Sequence, residues 1–196
     1  MLLPKVSVVE SGEAVYKDIN LDLRKGDKIQ LSGPNGIGKT TLLNSIVTGE
    51  LPGIEPNKSL KIGYYSQDFH NLDYSKPVRE SLLEAMGIED VKLVASKHEE
   101  YMRMIAAGFL INGNLMGNLI GDLSEGQKGL LAFAHIVLQK PGLLIMDEPT
   151  NHINFRHIPI IAKAIDEYQG AMILVSHVPD FVSKIKIDKE IKLDTL

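Results

Sequence analysis

The sequence predicts an α/β fold, with strands and helices alternating along the chain and a helical stretch inserted into the sheet. Three observations carry this reading. The short runs "KIQLS", "GLLIM" and "AMILV" stand between segments of helical period. A glycine-rich loop joins the first of these runs to a helix. From about Val78 to Leu119 the pattern turns helical.

At the N-terminus "KVSVV" precedes the turn candidate Ser11-Gly12-Glu13, and Ile19, Leu21 and Leu23 then alternate with polar residues, as in a half-buried strand. "KIQLS" is a third strand. The helix after it starts near Lys39 and places Leu42, Leu43, Ile46 and Val47 on one face. "KIGYY" reads as a strand. "VRESLLEAM" and "KHEEYMRMIAAGFL" are the clearest helical segments, and the turn-prone "NGN" at 112–114 breaks the helical stretch. Gly126 to Gln139 is a further helix, with Leu130, Ala134 and Val137 on one face. "GLLIM" and "AMILV" are continuous apolar runs, as in strands covered on both sides. Between them a helix starts near Pro159, a residue suited to a first helical turn. The tail "KIKIDKEIKL" alternates Ile185, Ile187, Ile191 and Leu193 with charges and reads as a hairpin.

Composition narrows the classes. The 196 residues suffice for one sizeable core, and 44% apolar with 23% charged residues is ordinary for a water-soluble globular chain. No apolar run approaches the ~20 residues that span a bilayer. "MLLPKVSVVE" lacks the regions of a signal peptide, so a cytoplasmic protein with no direct membrane insertion is expected. There is no cysteine, which excludes disulfides and thiolate metal sites. A formal net charge of -4 does not drive polyanion binding.

Gly33-Pro34-Asn35-Gly36-Ile37-Gly38-Lys39-Thr40 fits G-x-x-x-x-G-K-[ST], with Thr41 next, a strand before and a helix after. Glycines let such a loop curl its N–H groups inward at a polyphosphate, and the helix N-terminus adds partial positive charge. Lys39 would reach the β- and γ-phosphates, and the Thr40 hydroxyl would ligate Mg2+. A plain glycine-rich turn is the blander reading, and it leaves both flanks unexplained.

Asp147 and Glu148 come directly after the strand "LLIM". Ligands of doubly wound sheets bind beyond the C-terminal ends of the strands. There Asp147 can hold hydrated Mg2+ beside Thr40, and Glu148 can polarise an attacking water as a general base. Gln67 stands past "KIGYY", where an amide can bridge Mg2+ and the water. His177 stands past "AMILV", where it can donate a hydrogen bond to the γ-phosphate. Each alone would be an ordinary exposed polar residue; together they ring one edge of a sheet.

"GPNGIGKTT", Gln67 in "YYSQ", "LSEGQ", "LLIMDEP" and His177, in this order, resemble an ATP-binding cassette (ABC) ATPase over nearly the whole chain. The resemblance implies a P-loop NTPase fold of ABC type: a RecA-like mixed or parallel sheet core, an N-terminal antiparallel β part and a helical subdomain. It implies one cassette, 1–196, with 1–67 and 139–196 as core and about 68–138 as helical subdomain with the signature helix. In this family two cassettes face head to tail. Carried over, Ser124, Gly126 and Gln127 would contact the γ-phosphate of a nucleotide held by a partner cassette, in the same longer chain or in a homodimer. Glu125 should then turn its carboxylate away, toward the partner's surface or water.

"LSEGQK" with "DEPTNH" is most similar to the soluble F subfamily, many members of which act on ribosomes during translation. Two other readings stand beside it: the ATP-hydrolysing subunit of a membrane permease, and a nucleotide-dependent clamp with negligible turnover. The sequence departs from the family at three places. No aromatic residue stands at Val9 to Ser11 to stack the adenine, and Tyr16 reads as a strand residue. Asn154 replaces the aspartate that helps the two cassettes communicate. Val178 and Pro179 come after His177 where aspartate and arginine are usual. His70, His98, His135, His152 and His157 show no metal-ligand spacing.

Overall fold

Antiparallel strands β1 (Leu2–Glu10) and β2 (Glu13–Asp22) form a separate two-stranded sheet, with Glu10 opposite Glu13. The structure is a computed structural model that describes residues 2–10, 13–51, 60–65, 72–151 and 153–195. The turn candidate at Ser11 and Gly12 lies outside them.

The continuous apolar runs become strands of a second sheet. It holds β3 (Lys28–Ser32), β4 (Ile62–Tyr65), β5 (Leu143–Asp147), β6 (Ala171–Val175) and β7 (Lys189–Lys192) in the order β4-β5-β6-β3-β7, every pair parallel. Successive residues of a strand point to opposite faces. Leu144 and Met146 of β5, with Met172 and Leu174 of β6, enter one hydrophobic cluster. Leu143 and Ile145, with Ile173 and Val175, enter another. Both faces are buried, which is why these strands carry no polar alternation.

Helix α1 (Lys39–Thr48) covers one face, packed on β1 and β5. Its Leu42, Leu43 and Ile46 are buried as the spacing predicts, while Val47 is 36% exposed at the margin. The other face carries α4 (Glu125–Gln139) and α5 (Ile158–Asp166). Against α4 pack α2 (Val78–Ala85) and α3 (Ser96–Gly108), and the short α6 (Pro179–Val182) comes after β6. One cluster runs without a break from Leu82, Met102 and Leu131 to Met146 and Leu174. The inserted helices and that sheet face therefore share a core. Phe133 stacks between Tyr65, at 4.4 Å, and Phe109, at 6.2 Å between ring centroids. Truncating a residue as enclosed as Leu131 would cost about 2–5 kcal/mol.

Two expectations change in detail. The helical stretch breaks after Gly108, where Asn112 accepts from the Asn114 N–H at 3.1 Å and starts a 3-10 turn. The tail is not a hairpin. Only Lys189–Lys192 is a strand, and it runs parallel to β3 at the sheet's edge. Alternation reports one buried face, not the direction of the neighbour; Ile191 and Leu193 bury against the α1 side.

Candidate functional site

The order of the strands makes the site. β5, β6 and β3 are neighbours, so three C-terminal strand ends meet at one edge. Asp147 and Glu148 come from β5, His177 lies just past β6, and the glycine loop leaves β3.

The loop curls because Gly36 and Gly38 hold φ of 81° and 99°, a region that side-chain-bearing residues avoid. Gly38 is also the N-cap of α1 and offers no capping side chain. The N–H groups of Gly38, Lys39, Thr40 and Thr41 make no hydrogen bond among the described residues, leaving four donors at a helix N-terminus. The Val9 N–H donates to Ile37 O at 2.8 Å and ties the loop to β1. Pro34, Asn35 and Gly36 are exposed, whereas Lys39 is buried. Its ammonium donates to Gly33 O at 2.8 Å and Pro34 O at 3.0 Å, so the charge sits within the curl.

The Thr40 hydroxyl donates to Asp147 Oδ2 at 2.6 Å. A hydroxyl and a carboxylate oxygen in contact are hard donors of the kind Mg2+ takes, so the residues present fit that ion. Beside them Glu148 has φ 47°, left-handed for a residue with a side chain. Its Oε2 accepts from the His177 N–H at 3.2 Å. Its Oε1 is shut off from solvent without a hydrogen bond; His177 Nε2 stands 3.4 Å away, in ion-pair range only. The Glu148 side chain is 12% exposed and that of His177 51%. One carboxylate oxygen is thus held and the other is an unused acceptor.

Ser124, Gly126 and Gln127 lie elsewhere, at the start of α4. Ser124 caps the helix: its Oγ accepts from the Gln127 N–H at 3.3 Å, and its own N–H donates to Gln127 Oε1 at 2.9 Å. No hydrogen bond joins this end to the phosphate loop among the described residues. A Cβ at Gly126 would meet nothing within 4 Å, so the surface there is open. Glu125 turns along its own helix to Lys128, with Nζ–Oε1 at 3.0 Å, and Lys128 also lies 4.8 Å over the Tyr74 ring. Sequence reasoning missed Lys128, although the Glu-x-x-Lys spacing of an i,i+3 pair was there to be read.

Gln67 falls outside the described residues, as do His70 and His152. Tyr16 lies within β2, opposite Ser7, with 51% of its surface exposed. Asn154 accepts from the Arg156 N–H at 3.0 Å and caps a short 3-10 turn at Phe155–His157.

Comparison with known proteins gives the family and the fold. The family model described as "ABC transporter" matches residues 16–151. The "ATP-binding protein Uup" of Escherichia coli (strain K12) is 35% identical over 176 residues, covering 88% of this chain and 27% of Uup. The chain spans between 23% and 32% of the length of the curated relatives it matches. An ATP-binding subunit of an ABC transporter superposes with a TM-score of 0.78 at 18% identity, over 97% of this chain and 84% of that one. The dimeric bacterial ABC transporter cassette MJ0796 superposes with a TM-score of 0.73 at 19% identity, over 98% and 94%.

Proposed function

The chain belongs to the ABC transporter family, as one ATPase cassette of it, and on that premise we propose that it binds and hydrolyses ATP at a head-to-tail interface with a second cassette. The observation that carries this is the meeting of three strand ends, with Thr40 on Asp147 and His177 on Glu148.

The phosphates lie against the free N–H groups of residues 38–41. Lys39 exchanges two neutral carbonyls for charged phosphate oxygens, a stronger hydrogen bond. Thr40 and Asp147 would hold Mg2+, which when bound would neutralise charge on the phosphate oxygens; the part the sequence gives Gln67 falls on a residue outside the described ones. Glu148 accepts a proton from the water as its oxygen bonds to the γ-phosphorus and the bridging bond to ADP breaks. His177 donates to a γ-phosphate oxygen. Positioning and charge stabilisation supply the rate.

Ser124, Gly126 and Gln127 close over the partner's nucleotide. Support comes from the open surface at Gly126, from N–H groups at the start of α4 that have no partner among the described residues, and from the dimeric state of MJ0796. On this reading the chain is a single cassette, 1–196, with the helices of about 68–138 presenting the signature end. "LSEGQK" and "DEPTNH" support a soluble F-type cassette acting on ribosomes, and among the described residues no helix is long and apolar enough to cross a membrane.

Phosphate release tests the enzyme: turnover that vanishes in Lys39→Ala and Glu148→Gln is expected, and turnover unchanged by both would sink the site. Co-sedimentation of Glu148→Gln with ribosomes in ATP tests the client. Its absence, together with co-purification of a membrane permease, would assign the cassette to a transporter instead.

A further inference from the structure

The phosphate loop has a second flank. In the order β4-β5-β6-β3-β7, Asp147, Glu148 and His177 come from β5 and β6, on one side of the strand that carries the loop. β7 lies on the other side, and its Lys192 stands level with Ser32, the last residue of β3. The chain then turns through a short 3-10 segment, Leu193–Thr195. Leu193 is buried, and the Thr195 hydroxyl donates to Lys192 O at 3.0 Å, so the turn is anchored on both sides of Asp194.

This turn carries Asp194 to the start of the loop. A Cβ placed on Gly33 would stand 3.6 Å from Leu193 Cβ and 3.7 Å from Asp194 Oδ1. Asp194 is exposed, and its carboxylate has no hydrogen bond or ion pair among the described residues. The end of β1 reaches the same place. Its Val9 N–H donates to Ile37 O at 2.8 Å, and Ile37 Cγ2 lies 3.3 Å from that same Cβ position. Val9 itself offers neither a ring nor a polar side chain.

With the γ-phosphate toward Glu148 and His177, the nucleoside leaves the loop away from β5 and β6, past β7 and the end of β1. A carboxylate on that side does not serve the phosphates, which it repels. It is an acceptor only, so what it recognises is a donor. The donors nearest the phosphates of a nucleotide are the ribose hydroxyls, because the sugar carries the α-phosphate. A vicinal diol offers two of them to the two oxygens of one carboxylate, and a charged acceptor strengthens each bond. We infer that Asp194 accepts hydrogen bonds from the ribose 2′- and 3′-hydroxyls and so selects ribonucleotides over their deoxy counterparts. The inference rests on the phosphate loop holding a nucleoside triphosphate, as proposed above, and not on turnover.

The test is calorimetric binding of ATP and of 2′,3′-dideoxy-ATP, each with Mg2+, to the chain in a Glu148→Gln background that holds turnover down. ATP should bind about fivefold or more tightly than the dideoxy analogue, the size of one or two exposed charge-assisted hydrogen bonds. Asp194→Ala should bring the two affinities together. Repulsion between the carboxylate and the phosphates acts equally on both ligands and cancels in their ratio. Asp194→Asn keeps an acceptor oxygen and should hold an intermediate ratio. Both variants should melt as the parent does, since Asp194 is exposed. Equal affinity of the two nucleotides for the parent would overturn the inference. So would a ratio that survives Asp194→Ala while both ligands tighten, which would leave the carboxylate as a repelling charge only. A change in the preference between ATP and GTP with the sugar ratio kept would give Asp194 to the base instead. Binding of neither nucleotide, or ATP binding unchanged by Lys39→Ala, would sink the reading of the phosphate loop as well; equal binding of the two sugars sinks this inference alone.

Discussion

The hydroxyl of Thr40 donates to Asp147 Oδ2 across 2.6 Å and so joins the first turn of α1 to the end of β5. Two residues 107 positions apart meet because α1 packs directly on β5. The contact predicts a division between chemistry and binding. Asp147→Asn keeps a hydrogen-bond acceptor but removes the charge, so phosphate release should fall by about 100-fold or more, with a weaker response to added Mg2+. Thr40→Ser, which keeps the hydroxyl, should stay within about fivefold of the parent. A Mg2+ titration of turnover in the two variants checks both statements. Equal losses in the two would show that packing, not the oxygen donor, matters at Thr40.

Glu148 holds φ 47° with one carboxylate oxygen enclosed and unbonded. Such a backbone costs of order 1–3 kcal/mol, and an unpaired enclosed oxygen adds to that. Glu148→Gly removes both. It is expected to unfold at higher denaturant, by about 1 kcal/mol, while losing turnover. Glu148→Gln keeps the strain, should lose about 100-fold or more in phosphate release, and should still bind nucleotide. Urea melts beside a fluorescent-nucleotide titration separate the two variants. A Glu148→Gly chain less stable than its parent would mean that the His177 contact outweighs the strain.

Much of the site was legible in the residues. The curl of the loop from Gly33 to Thr41 was readable because its glycines, Gly36 and Gly38 among them, stand where the backbone takes positive φ between a strand and a helix. "LLIM" and "AMILV" were readable as strands because burial on both faces leaves no room for polar residues. The tail misled because Ile185, Ile187, Ile191 and Leu193 alternate equally well in a hairpin and along one edge strand with its approach. The common core of the helices and the sheet was hidden because it needs residues as distant as Leu82 and Leu174 in one cluster. The pairing of Glu125 was readable from its Glu-x-x-Lys spacing and was passed over because "LSEGQK" was read as a ligand site and not as the first turn of a helix with an i,i+3 ion pair.

Lys128 is 10% exposed in its side chain and holds Glu125, itself 66% exposed, at 3.0 Å. The lysine thus neutralises the one anionic side chain in "LSEGQ". Lys128→Met should leave the carboxylate free beside the phosphate that this end is proposed to meet. ATP-dependent dimerisation of Lys128→Met in a Glu148→Gln background should weaken, by about tenfold, the size of one modest charge interaction. Adding Glu125→Gln should restore it. Sedimentation velocity with and without ATP reads both steps. Dimerisation that stays weak in the double variant would mean that Lys128 acts by packing on Tyr74 instead.

His135 lies inside the α2–α4 contact, its Nε2 2.9 Å from Ser81 Oγ. Burial disfavours the imidazolium and pushes the pKa down to about 4, against a weaker opposite pull from Glu84. The unfolded chain titrates near 6.5, so below that pH it binds a proton that the native state refuses. Stability should therefore fall as pH drops from about 6.5 toward 4 and stop falling for this reason below it. Between pH 7 and pH 5 the loss should be about 2 kcal/mol. Glu99, whose carboxyl is held low first by its hydrogen bond to Arg79, loses its contribution only below its ordinary value of 4.5, so pH 5 to 6.5 isolates the histidine. His135→Gln removes the titrating group and should flatten that window in urea melts at constant ionic strength. A slope that survives the substitution would place the proton uptake on another group.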